Sequence, residues 1–281
     1  MRVVATVLCW LVATVALAVA VPAGWAQRNL VDPDGYTALA RSAAHDPQLQ
    51  KAAASELASQ VNRISRNRIG NAQSGLILGV ATGYTAGPSF PNQFGAVNRV
   101  AHQWLFTDNV RQTSDGLVVD VAPMLTDTTL KDALDRMRVN VPPTVTVPIT
   151  PDQANSLRAG ELRPVATWGP WVSIGSLAVT AVAALLTLAF ARKRGKAIAA
   201  LGVSALLVGA GGWAALAIGR GHIDDALNRT SGNVRTIADV MVTQAENSLH
   251  QWLNLTLAAG GVLVVFGVLV AMLGALRRKE P

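Results

Sequence analysis

The chain has 281 residues, of which 51% are hydrophobic and 15% charged, and it carries a formal net charge of +7. So oily a composition exceeds that of an average soluble protein, although a large buried core could absorb some of the excess, and a single cysteine, Cys9, excludes an intramolecular disulfide and a metal site built on several thiolates. The positive balance suggests nucleic acid only until its placement along the chain is followed.

Apolar residues gather in four runs, 3–26, 168–191, 197–219 and 253–276, and none of the four contains Asp, Glu, Lys, Arg or His. A helix rises about 1.5 Å per residue, so about 20 apolar residues cross a hydrocarbon core about 30 Å thick. Each run predicts a transmembrane helix. The first could be a cleaved signal peptide ending at Gly24-Trp25-Ala26, but its apolar region is longer than such peptides use, and it reads as a retained anchor. Cys9 lies inside it and reads as a small buried or lipid-facing side chain.

Charge placement gives an orientation. Arg2, the link 192–196 with Arg192, Lys193, Arg194 and Lys196, and the tail 277–281 with Arg277, Arg278 and Lys279 against Glu280 hold the entire excess. The segments 27–167 and 220–252 together balance to zero. Lys and Arg beside short loops stay in the cytoplasm, so both termini are expected inside and 27–167 and 220–252 outside. Trp25, Trp168, Trp171 and Trp252 fall at the outer ends of the first, second and fourth runs, where an indole prefers the headgroup layer. The basic balance therefore reports topology and implies no nucleic-acid partner.

In the long outer segment, Asp32-Pro33 and Asp46-Pro47 each pair an N-cap with a proline at the first helical position. They predict one helix to about Ala44 and a second to about Arg66, the latter with Leu49, Ala53, Leu57, Val61 and Ile64 on one face. Gly75, Gly79, Gly83 and Gly87 follow at intervals of four within GLILGVATGYTAG. Such a stripe permits close backbone approach. It reads first as a segment packed within the domain, and second as a surface that touches the membrane or self-associates. Over 91–106, Phe94, Val97, Ala101, Trp104 and Leu105 define a buried face, while Arg99 and His102 lie elsewhere, three apart, and read first as a solvated pair and second as a polar site.

Asp115-Gly116 reads as a turn and 117–121 as a strand; 126–140 reads as a helix with Leu130, Leu134 and Met137 inward and Asp132 and Arg136 outward. The segment 144–150 alternates as a second strand, an edge strand because of Pro148. Strand, helix and strand fit a small βαβ unit, with antiparallel pairing as the alternative. A short helix from Thr150-Pro151 precedes the second span, and 220–252 is mostly one helix running into the fourth. The expected fold is thus mainly α, with four transmembrane helices and an α+β extracytoplasmic domain.

Chemistry-bearing motifs are sparse. No nucleophile motif and no phosphate-cradling glycine loop occurs. His222, Asp224 and Asp225 with Glu246 and His250 make the best metal-like grouping, but their spacing matches no ligand pattern and they read as solvated surface. The spans offer only occasional hydroxyls and amides, such as Ser173, Thr180, Ser204, Asn254 and Thr256, which argues against ion-coupled transport. No catalytic, cofactor-binding or metal residue is assigned.

Three stretches carry a resemblance: NLVDPDGYTALARSAAHDPQLQKAAASELASQV after the first span, FGAVNRVAHQWL, and GLVVDVAPMLTDTTLKDAL with the pair of spans around ARKRGK. Together they resemble a set of uncharacterised actinobacterial integral membrane proteins. The resemblance implies a plasma-membrane protein of a cell envelope and brings no activity, cofactor or catalytic residue. The function expected is non-enzymatic, with the outer domain binding another envelope component. A carrier or sensor of lipid or small apolar ligands is the alternative, and a membrane-associated enzyme stands third. The expected partners are the bilayer itself and an envelope protein or lipid, with self-association also open.

Overall fold

The computed structural model describes residues 2–65, 71–107, 118–136, 139–148, 160–228, 230 and 232–276. In chain order the helices are α1 (Arg2–Ala26), α2 (Pro33–Ala43), α3 (Pro47–Ile64), α4 (Asn71–Thr85), α5 (Phe90–Phe106), α6 (Ala122–Leu125), α7 (Thr128–Arg136), α8 (Arg163–Phe190), α9 (Arg194–Leu227) and α10 (Gly232–Leu276). A π-helical turn, Gln27–Val31, follows α1, and two strands, β1 (Val118–Asp120) and β2 (Thr146–Pro148), lie among the described residues. The chain divides into two compact units. A span unit holds 1–28, 167–221 and 246–281, and a polar unit holds 29–166 and 222–245.

Four helices are long and apolar enough to cross a membrane: α1 with its π turn, α8, α9 and α10. At most 28% of the most apolar window of any of them is buried within the protein. Ile174, Leu185, Leu255 and Leu273 are each more than 60% exposed. Water would not tolerate that much open apolar surface, and hydrocarbon favours it. The chain is a multi-pass membrane protein.

Within the span unit, α9 and α10 run antiparallel in backbone contact. A Cβ placed on Gly202 would stand 2.6 Å from the Val264 nitrogen and 2.7 Å from the Gly260 oxygen. One on Gly195 would stand 2.5 Å from the Ala271 nitrogen and 2.7 Å from the Gly267 oxygen. From the other side, Gly260 meets the Gly202 oxygen at 2.9 Å and Gly267 the Ala199 nitrogen at 2.4 Å. Gly209 continues the row against Leu257 and the Leu253 oxygen. The glycines recur every seven residues on both helices, the period that keeps one seam facing a partner in a left-handed crossing.

Polar groups tie α1 to this pair. The Trp10 indole donates to the Ala200 carbonyl (2.9 Å), the Thr14 and Ser204 hydroxyls bond at 2.7 Å, and the Trp25 indole donates to the Ser248 hydroxyl (3.1 Å).

The polar unit grows from local signals in the sequence. Asp32 accepts from the Gly35 amide at the start of α2, and Asp46 accepts from the Gln48 (2.7 Å) and Leu49 (3.4 Å) amides at the start of α3. Pro33 and Pro47 take the first helical positions, where a missing N–H costs nothing. The helices bury Leu49, Leu57, Val61, Ile77, Tyr84, Phe90, Leu125, Leu130 and Leu134 in one core, to which Val240 of α10 also contributes. Removing the second cap with Asp46→Ala is expected to lower the stability of this unit by about 1 kcal/mol. Chemical denaturation followed by far-UV circular dichroism measures it, with Lys51→Ala on the exposed side of the same helix as the unaffected control.

The expected α+β domain with a βαβ unit is not what forms. The two strands are three residues each and pair antiparallel, Val118 with Pro148, Val119 with Val147 and Asp120 with Thr146, whereas a βαβ unit needs parallel strands. The reason lies in Asp120, whose carboxylate accepts from the Ala122 amide (2.9 Å) and the Val145 amide (2.8 Å). The Val121 amide also donates to the Val145 carbonyl at 2.8 Å. These bonds hold the returning chain beside the end of β1, running back along it. The helix expected over 126–140 forms as α7 over Thr128–Arg136, a short α6 precedes it at Ala122–Leu125, and α7 packs on α4. A ribbon this small forms no layer, so the unit is helical and only the mainly-α class stands.

Several expected features lie outside the described residues: Arg66, the Asp115-Gly116 turn, Leu117, Met137, the end of the second strand, the helix from Thr150-Pro151, and the basic tail with Arg277, Arg278 and Lys279.

Candidate functional site

Helix α4 has two different faces. Ile77, Ala81, Tyr84 and Thr85 are at most 2% exposed and form its inner side. Its inner end is fixed by a relay of polar groups. The Tyr84 hydroxyl donates to the Gln93 side-chain oxygen on α5, and the Gln93 amide nitrogen donates to the Asp127 carboxylate ahead of α7 at 2.8 Å. Tyr84 also meets Phe90 edge to face, with ring centroids 5.8 Å apart. Burial, and then the Asp127 charge, push the Tyr84 hydroxyl well above its ordinary pKa, so it stays a neutral donor.

The outer face is small and apolar. Gly75, Gly79, Thr82 and Gly83 are exposed, and a Cβ at Gly75, Gly79 or Gly83 meets nothing within 4 Å. Leu76 is 64% exposed and Leu78 is 42% exposed, and helical geometry puts them on opposite flanks of the glycines. The expectation that this stretch packs within its own domain is therefore met only by the alternate positions between the glycines. The fourth glycine, Gly87, sits past the helix, where a Cβ would lie 3.0 Å from the Tyr84 oxygen. The two flanking leucines were legible in GLILG as apolar residues at positions that a helix cannot bury together with Ile77.

Arg99 and His102 do not form the solvated pair expected of them. Arg99 reaches Asp34 of α2 at 2.7 Å across an exposed surface. His102 is 3% exposed. Its Nε2 lies 2.9 Å from the Leu30 carbonyl in the π turn and must donate there, while its Nδ1 is buried with no hydrogen-bond partner. The ring stacks on Phe106 (4.3 Å) and leans on Tyr36 (5.0 Å).

Burial lowers the His102 pKa below 6.5, outweighing the Leu30 and Val31 carbonyls and the Asp32 charge, which raise it; Arg99 lowers it further. A group depressed in the folded state binds fewer protons there than when unfolded. Its contribution to stability is complete above about pH 6.5 and declines as pH falls toward the folded value. Thermal unfolding is expected to show this loss between pH 7 and pH 5 (about the range where an ordinary His titrates) in the wild type. The loss should be visibly smaller in His102→Gln. Identical pH slopes in the two proteins would refute the assignment.

The metal-like grouping is not assembled. The Glu246 carboxylate holds the Arg220 guanidinium at 3.0 Å, and the His250 ring stacks on Trp213 with centroids 3.7 Å apart. The Trp213 indole donates in turn to Asn254 at 3.2 Å. Among the described residues no three His, Cys, Asp or Glu side chains converge. Glu246 and His250 thus serve helix pairing within the span unit, through partners on α9 that the sequence pattern did not reveal.

No protein-family model, curated protein or solved structure matches this chain. Function must be argued from the residues alone, and the surface that asks for an explanation is the open face of α4.

Proposed function

We propose that this chain is a non-enzymatic membrane protein of a cell envelope whose polar unit stands outside the cytoplasm and binds another envelope protein through the outer face of α4. The observation that carries the reading is the exposed row Gly75, Gly79 and Gly83 between Leu76 and Leu78. A row of glycines four apart, walled by two leucines, is shaped to receive a helix at close backbone distance. Its rigid support by Tyr84, Gln93 and Asp127 keeps that surface formed in the absence of a partner.

The orientation follows from the charge asymmetry: both termini cytoplasmic, with 27–167 and 220–252 outside. The likeness to actinobacterial membrane proteins agrees with an envelope setting.

A photo-reactive residue at position 79, compared with one at Lys51 on α3, tests the reading in native membranes. The expected result is one crosslinked envelope protein from position 79, lost when Gly83→Trp is added, and none from position 51. Crosslinks to a second copy of the chain, or lipid adducts at position 79, would replace this reading with self-association or lipid binding. A reporter fused at Asn140 that appears in the cytoplasm would overturn the orientation.

A further inference from the structure

One end of the span unit holds a groove of about 480 Å³ between α1, α8 and α9. Its walls are Val3, Val7, Trp10, Phe190, Ala197 and Ala200. The polar atoms along it are already occupied: Thr6 donates to the Arg2 carbonyl, Thr187 to the Ala183 carbonyl and the Trp10 indole to the Ala200 carbonyl. The groove is therefore dry and apolar along its length. From Arg2 to Trp10 it follows eight residues of helix, about 12 Å at a rise of about 1.5 Å per residue. That is most of the hydrocarbon depth of one leaflet, about 15 Å.

The mouth is different. Arg2, Arg192, Lys193 and Lys196 also line the groove, all four are exposed, and none is engaged in an ion pair among the described residues. Topology alone needs basic residues near this end and does not need them around the mouth of an apolar slot.

We propose that this groove is a binding site for an anionic phospholipid, whose phosphate is held by Arg2, Arg192, Lys193 and Lys196 and whose acyl chain lies along Val7, Trp10 and Ala200. A guanidinium or ammonium beside a headgroup phosphate makes charge-assisted hydrogen bonds. The slot beneath accepts a chain without leaving any polar group of the protein unpaired. The site is independent of the α4 reading and of which side of the membrane holds this end.

The test uses the full chain in nanodiscs of phosphatidylcholine alone or mixed with phosphatidylglycerol, with retained lipid read by native mass spectrometry. Phosphatidylglycerol is expected to remain bound in preference to phosphatidylcholine. The adduct should fall at least about tenfold in Arg192→Gln/Lys193→Gln/Lys196→Gln, a fold-change consistent with removing several headgroup contacts. Val7→Trp, which fills the slot at a half-exposed position and leaves every charge in place, should remove the adduct as well. Retention of the two lipids in their bulk ratio would overturn the proposal. So would an adduct that survives both variants, or one displaced by inorganic phosphate, which would mark a bare anion site.

Discussion

Gly202→Leu is expected to separate α9 from α10, whereas Gly211→Leu, nine residues along the same helix, leaves the bundle intact. The two positions differ in what a side chain would meet. At Gly202 the first added carbon falls within 2.8 Å of the Val264 nitrogen, the Gly260 oxygen and a Val264 methyl, and at Gly211 it meets nothing within 4 Å. Backbone atoms of a packed helix cannot rotate aside as a long side chain can. Overpacking costs about 1–3 kcal/mol where side chains give way. Against backbone on both sides the cost at Gly202 is expected at or above about 3 kcal/mol. Unfolding of purified protein in mixed micelles, followed by tryptophan fluorescence, measures it. Equal midpoints for the two variants would show that the helices are not in backbone contact.

Phe90→Ala is expected to destabilise the polar unit by about 3–5 kcal/mol. Phe90 is fully buried at the first position of α5, with Tyr84 5.8 Å away edge to face and Phe94 at 5.6 Å. Truncation removes the aromatic contacts and leaves a cavity beneath the C-terminal end of α4. Val100→Ala on the same helix, at a position 59% exposed, is expected to change stability by less than about 0.5 kcal/mol. Denaturant titration with near-UV circular dichroism separates the two. A loss at Phe90 no larger than that at Val100 would contradict the packing described.

The spans were legible because hydrocarbon imposes a demand that few residues in a row can meet by accident. Their helices run further than the apolar runs, α8 starting at Arg163 and α10 at Gly232, because helical geometry continues into polar residues after hydropathy has stopped. Caps were equally readable, since Asp46 bonds amides two and three residues away and the whole device is local.

What failed to show was non-local. The direction of β2 depends on one Asp120 oxygen reaching the Val145 amide across 25 residues. The burial of His102 depends on the carbonyl of Leu30, 72 residues back. The glycines divided the same way. The conspicuous four-residue stripe on α4 is open, whereas the seven-residue row Gly195, Gly202 and Gly209 is the one in backbone contact. The period of seven emerges only once the partner helix with Gly260 and Gly267 is alongside.

A seam of glycines spaced by seven admits one alignment, since sliding either helix by a single turn sets Cβ atoms where the opposing backbone already stands. The α9–α10 pair therefore behaves as a single stiff post, and hydroxyl and indole bonds moor α1 to it. Helix α8 buries only Ala183 and Thr187 of its 28 residues. It also supplies Thr180 and Ala184 to a cleft of about 570 Å³ that the other three helices line as well. Three walls of that opening therefore belong to the moored assembly, and the fourth to a helix that buries two residues of its own.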